Sequence, residues 1–176
     1  MKGIDESRPF LPVRIAVLVV SDTRTLENDT SGDLLVARIE KAGHELADRR
    51  LLRDEILDVR GLVQTWIDRK DVDVVIISGG TGLTGRDITP EAITPLFEKT
   101  IEGFAHVFHM VSYQSVGLST IASRAVAGVA KGTFIFALPG SNGAVKDGWD
   151  KVIAPQLDSR FGPCNLVALM PRLMES

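Results

Sequence analysis

A single cysteine, Cys164, occurs among 176 residues, so no internal disulfide can form and a reducing, cytoplasmic setting is expected. Long apolar runs are missing too. The longest, "IAVLVV" from Ile15 to Val20, is far too short to span a bilayer. The first ten residues, "MKGIDESRPF", carry two acids and no apolar h-region, and so do not read as a signal peptide. A net charge of −3 leaves no global basic field to attract nucleic acid. There is no Ser/His/Asp or Cys/His constellation for nucleophilic catalysis, and no G-x-x-x-x-G-K-[ST] loop. Repeats, low-complexity tracts and linkers are also missing. One domain is therefore expected over residues 14–176, behind a polar, flexible arm at residues 1–13.

What is present alternates. "RIAVLVVS" (Arg14–Ser21), "VDVVIIS" (Val72–Ser78) and "GTFIFALPG" (Gly132–Gly140) are continuous branched or aromatic runs of strand length. Such runs suit strands buried on both faces of a parallel sheet. "HELADRRLL" (His44–Leu52) is a weaker strand candidate. Between them, "SGDLLVARIEKAG" sets Leu34, Leu35, Ile39 and Ala42 on one helical face, with Gly43 as the stop. Ile56 to Lys70 sets Val59, Leu62, Val63, Trp66 and Ile67 on another. Phe104–Val116 reads as a helix, Ser119–Val126 as a shorter one, and Asn142–Leu157 as a helix interrupted by Gly143 and Gly148. The pattern predicts an α/β three-layer sandwich, a mostly parallel sheet covered by helices on both faces.

The stretch "VVIISGGTGLTGRDITPEAI" (Val74–Ile93) stands out. Four glycines, Gly79, Gly80, Gly82 and Gly85, follow a strand and precede an aspartate, Asp87. Pro90 marks a helix start, with Thr89 as its expected cap. A second strand ends in "LPGSNG". Loops of this kind expose backbone N–H groups beside helix N-termini and form anion cradles, although glycines also make plain tight turns. A carboxylate beside such a cradle is electrostatically wrong unless a cation lies between. Mg²⁺, which takes one or two carboxylates plus phosphate oxygens, would reconcile Asp87 with the glycines. Asp54, in "LLRDEI", is a second candidate at a similar sheet edge. The alternatives are a capping role for Asp87 and a solvated loop acid for Asp54.

Gly80, Gly82 and Gly85 also satisfy G-x-G-x-x-G. The helix starts too late, and no strand-end acid follows, for a nicotinamide-dependent oxidoreductase. His106 and His109 sit i, i+3 but have no third partner for a metal. Trp66 is expected in the core, and Trp149 in the core or at an interface.

The segments "SDTRTLENDTSGDLL", "ISGGTGLTGRDITPEAI", "SRAVAGVAKGTFIFALPGS" and "AVKDGWDKVIAPQL" resemble the molybdenum-cofactor biosynthesis MoaB/Mog family, most closely its MoaB branch. The resemblance spans roughly Arg14 to Pro171. It implies cytoplasmic trimers, often paired into hexamers, that transfer the adenylyl group of ATP to molybdopterin with Mg²⁺ and release pyrophosphate. It places nucleotide binding on Gly79, Gly80, Thr81 and Gly82, and the essential, metal-binding aspartate on Asp87. A second functional aspartate falls on Asp54, which either completes the magnesium shell or orients the pterin phosphate. Substrate contacts fall on Ser115, Ser123, Pro139, Gly140 and Ser141. Arg53 stands where many members carry proline. Other cofactor-biosynthesis proteins are implied as partners, with neither nucleic acid nor membrane. The same resemblance accommodates a non-catalytic molybdopterin-binding or assembly protein.

Overall fold

Ile15 and Val17 are wholly buried on one side of their strand, Ala16 and Leu18 on the other, and the two sets belong to different cores. That is why the strand reads as an unbroken apolar run rather than an alternation. In the computed structural model, which describes residues 3–175, this strand is β1 (Arg14–Val20). It is followed by α1 (Thr30–Lys41), β2 (Glu45–Leu52), α2 (Ile56–Ile67), β3 (Val74–Ser78), α3 (Thr89–Ile93), β4 (Lys99–Thr100) and α4 (Glu102–Val116). Then come β5 (Val126–Ala130), β6 (Thr133–Leu138), α5 (Asn142–Gly148) and α6 (Ala154–Leu157). The sheet order is β2-β1-β3-β6-β5-β4. The first four strands run parallel; β5 and β4 add an antiparallel extension. The expected three-layer architecture is therefore present, with α1, α4 and α5 over one face and α2 and α3 over the other.

Local chemistry starts and stops the elements. Asp29 caps α1 by accepting from the Gly32 amide at 2.9 Å, Leu35 and Ile39 face the core one turn apart, and Gly43 ends the segment at φ 87°. On α2, Val59, Val63, Trp66 and Ile67 are buried. The Trp66 indole donates to Asp48 at 3.1 Å, so its one polar atom is satisfied inside the core. Trp149 is likewise core, 2% exposed.

Three expectations change. The helix expected over Ser119–Val126 is only a 3-10 segment, Gly117–Ala122, and Val126 already belongs to β5. Thr89 does not cap α3. It is the first residue of the helix, and its hydroxyl donates to the Gly79 carbonyl instead. The helical segment from Asn142 to Leu157 runs through Gly143 and Gly148, with one wide π turn over Trp149–Ile153.

The arm lies along the segment 158–162. Ile4 bridges Phe161, Ser159 Oγ donates to the Pro9 carbonyl and accepts from the Leu11 amide, and Phe10 packs on His44.

Candidate functional site

Parallel strands aim their carboxyl ends at one edge, and ligands of such sheets bind there. Here β1, β3 and β6 end around a cleft of about 540 Å³. Its walls are the loop after β1, the turn after β2, the glycine loop after β3, the turn after β6, Ser119 and Ala122 from the 3-10 segment, and Ser123 just after it.

The glycine loop leaves β3 in a conformation closed to other residues. Gly79 has φ 107°, and a Cβ there would strike the Val20 carbonyl oxygen; Gly80 has φ 63°, and a Cβ there would strike the Thr89 hydroxyl. The Gly79 amide continues the β3–β6 ladder by donating to Leu138 O at 2.9 Å. Gly79, Gly80, Thr81 and Gly82 all line the cleft.

Two acids flank this loop and are pushed in opposite directions. Asp54, only 8% exposed, lies beyond β2 with no side chain donating to its carboxylate among the described residues. Burial, reinforced by the nearby Asp22 and Asp87 charges, raises its pKa above the ordinary value. Burial also pushes the Asp87 carboxyl up, but it accepts from the Thr84 hydroxyl at 2.6 Å and the Thr84 amide at 2.9 Å, with the Gly82 amide adding to them. These bonds outweigh burial, and its pKa is lowered. Asp87 therefore ties its own turn rather than capping α3, whose N-cap is Ile88.

A third acid, Asp22, completes the rim. Arg86 donates to both of its carboxylate oxygens at 2.8 and 2.9 Å and reaches Glu55 at 3.0 Å, so one side chain links three loops. Those bonds hold the Asp22 carboxyl below its ordinary value. On the far wall, Arg24 is braced by the fully buried Asp29 at 3.3 Å and donates to Gly140 O at 3.1 Å. Among the described residues, no three His, Cys, Asp or Glu side chains form a preassembled metal cage.

The remaining expected residues divide. Pro139, Gly140 and Ser123 line the cleft. The hydroxyls of Ser123 and of Ser78, at the end of β3, are buried there without a protein partner. Ser141 stands just outside the cleft lining and caps α5, accepting from the Ala144 amide at 3.2 Å. Ser115 does not reach the cleft. It is exposed on α4, where its hydroxyl helps lower the pKa of Asp147. His106 and His109 meet the carbonyls of Glu102 and Ser123, each at 3.0 Å.

Sequence reasoning missed Asp22, Arg24, Ser78, Arg86 and Arg124. Arg24 and Arg86 lie within recognisable motifs, and a question about what neutralises Asp22 and Asp87 would have singled out Arg86. Arg124 donates to the carbonyls of Gly82 and Asp87 at 2.7 and 2.8 Å, and carbonyl partners leave no mark in a sequence.

An open, mostly parallel α/β sheet with its cleft at the carboxyl ends of the strands defines the class: an α/β domain with its candidate ligand site at a parallel-sheet edge. Residues 16–159 match the family model described as "Probable molybdopterin binding domain". The chain is 50% identical over 159 residues to molybdenum cofactor biosynthesis protein B of Escherichia coli (strain K12), covering 90% of this chain and 94% of that protein. A crystal structure of a molybdenum cofactor biosynthesis protein B superposes with TM-score 0.86 at 35% identity, over 96% of this chain and all of the other. The tungsten cofactor synthesizing protein MoaB from Pyrococcus furiosus superposes with TM-score 0.70 at 36% identity, over 78% of this chain and 88% of that one. The chain belongs to the MoaB/Mog family of molybdopterin-binding domains and has a role in molybdenum cofactor biosynthesis.

Proposed function

We propose that the cleft adenylylates molybdopterin. An oxygen of the pterin's terminal phosphate attacks the α-phosphorus of ATP, the bond from that phosphorus to the β-bridging oxygen breaks, and pyrophosphate leaves. The observation that carries the reading is the pairing of an amide-bearing glycine loop with two carboxylates, Asp54 and Asp87, whose surroundings shift them in opposite directions, in one cleft. Two negative side chains beside a phosphate cradle need a cation. The largely buried Asp54 carboxylate, without a side-chain donor, fits that need. Asp87, with Asp54 as the second ligand or as the group that orients the pterin phosphate, would hold Mg²⁺, which supplies charge neutralisation at the phosphates.

This chain's own residues position and exclude. Gly80 and Thr81 offer amides to the phosphates, Arg24 adds a braced cation on the opposite wall, and Ser123 lines the same space on the side of the pterin phosphate. The attacking phosphate is already anionic at neutral pH, so no general base is required.

One observation favours a second reading. Asp87 already spends one carboxylate oxygen, Oδ2, on Thr84, as a purely loop-stabilising acid would. In that case the domain binds molybdopterin without transferring the adenylyl group. Incubation with molybdopterin, ATP and Mg²⁺, with detection of adenylyl-molybdopterin and pyrophosphate, separates the two; tight molybdopterin binding without product would establish the second.

The same reading includes assembly. Val107, Met110 and Tyr113 on α4 are 45–69% exposed, and Leu118 and Ile121 beside them exceed 70%. An apolar face of this kind is covered by further copies of the chain in a trimer or hexamer. Light scattering that gives a monomer at micromolar concentration would refute it.

A further inference from the structure

Along the cradle loop, the carbonyls are occupied and the amides are not. Gly79 O accepts from the Thr89 hydroxyl at 2.8 Å, and Gly80 O from the Thr89 amide at 2.9 Å. Thr81 O accepts from the Arg124 amide at 2.8 Å, and Gly82 O from Arg124 Nε at 2.7 Å. Four consecutive carbonyls are thus held by two residues, neither of which lines the cleft. Thr89 is fully buried behind the loop, and Arg124 also grips the Asp87 carbonyl at 2.8 Å and pairs with Glu91 on α3.

The peptide group is planar and trans, so its N–H points opposite to its C=O. With the Gly79 carbonyl drawn back to Thr89, the Gly80 amide must point forward; with the Gly80 carbonyl drawn back, so must the Thr81 amide. Neither amide donates to an acceptor among the described residues, and both residues line the cleft. A peptide between two glycines turns over at little steric cost. Turned over, the Gly79–Gly80 unit would present a carbonyl oxygen to an incoming phosphate, replacing attraction with repulsion.

We propose that Thr89 and Arg124 are positioning residues that set the polarity of the anion cradle, by holding the carbonyls of residues 79–82 away from the ligand. The ligand class, a phosphate chain, rests on the nucleotide reading given above. Thr89 is the sharper of the two, because one hydroxyl determines which way the glycine–glycine peptide faces.

The test titrates inorganic pyrophosphate into the wild-type protein and into Thr89→Val, Thr89→Ser and Arg124→Lys, by calorimetry and by amide NMR. Valine keeps the shape of threonine and removes only the hydroxyl. Affinity should fall about tenfold in Thr89→Val, the worth of one neutral hydrogen bond. Thr89→Ser should return to near the wild-type value. Arg124→Lys, which keeps the charge but cannot span two carbonyls, should weaken binding to a similar degree. In the wild type, pyrophosphate should move the Gly80 and Thr81 amide resonances more than those of Leu83 or Gly85. A merely structural role would lower the melting temperature of Thr89→Val and leave its affinity unchanged well below that temperature. Equal affinity in wild type and Thr89→Val overturns the positioning role alone and leaves the nucleotide reading standing. Wild-type protein that binds no pyrophosphate overturns both. Should Thr89→Val fail to fold, unmoved Gly80 and Thr81 amides in pyrophosphate-bound wild type overturn the proposal.

Discussion

Around the amino-terminal ends of the strands, acids meet bases. Arg14, at the start of β1, donates to Asp73 through two side-chain nitrogens at 2.7 and 2.9 Å and through its amide at 2.8 Å. Arg69 holds Asp71 at 2.7 Å, and Lys131 holds Asp68 at 2.8 Å. Around the carboxyl ends the pattern lapses. Asp22, Asp29 and Glu55 there do meet arginines, but among the described residues Asp54 is buried without a salt-bridge partner, and Asp87 leans on hydroxyl and amide donors from its own turn. Both ends are polar surroundings of one sheet, so the difference is not forced by the fold. The paired end is built for stability. At the carboxyl end, Asp54 carries a desolvated charge that a bound cation would relieve.

The strongest way to break this comparison is at Asp87. Removing one well-placed electrostatic stabiliser costs on the order of 10²–10³ in rate. Asp87→Ala should lose adenylyl transfer by that factor under saturating MgATP. Asp87→Asn separates the two duties of the side chain: its amide oxygen can still accept from Thr84, so the turn should survive while activity stays low. Wild-type rates in both variants, measured as adenylyl-molybdopterin formed per minute, would show that the acid only holds its loop.

Asp54 sharpens the contrast through stability. Its pKa is raised in the fold, so folding disfavours its charged form. The cost is zero well below the ordinary carboxyl value of 3.8, grows as pH rises through that value, and is complete above the raised folded pKa. Asp54→Asn should therefore melt higher than wild type at neutral pH, by about 2–4 °C, while losing function. The gap should close on acidification below the ordinary value. A variant that melts lower at neutral pH would show that Asp54 is stabilised in the ligand-free protein.

The smallest effect, of opposite sign in pH, belongs to the other end. Burial pushes the Asp73 carboxyl up, but its bonds from Arg14 outweigh this and lower its pKa. Its contribution is present above 3.8 and is lost as pH falls through the lowered folded value. Asp73→Asn should cost about 0.5 kcal/mol at neutral pH, since the pair is partly exposed. Denaturant melts would report the loss, and pyrophosphate binding in the cleft should be untouched.

The legible parts of the molecule were those whose physics is local. β1, β3 and β6 announce themselves as unbroken apolar runs because each face of the sheet is covered. β5 does not: "VAGVA" has no bulk, since the Phe97 ring packs where a Gly128 side chain would stand. Only its first residue, Val126, enters the sequence reading, as the end of the helix expected over Ser119–Val126, and the rest carries no strand signal. The glycine loop and its acids were legible because a carboxylate beside bare backbone is an electrostatic contradiction visible in one dimension. The positions of Ser115 and Ser141 were not, because hydroxyls occur everywhere and only packing decides whether they cap, pair or face a cleft. Arg124 was hidden for a further reason: its partners are main-chain oxygens, which every residue has.

The two edges of the sheet bear on how copies of the chain can meet. A free strand edge is a template onto which another chain can add. Here one edge, β4, is only two residues long and exposed, beginning with Lys99; the other, β2, carries Asp48, Arg49 and Arg50 in succession. A lysine on a two-residue stub and charges along the opposite border both discourage edge-to-edge growth. Self-association through backbone ladders, whether strand-swapped pairs or fibre-like stacks, is thereby disfavoured at both borders.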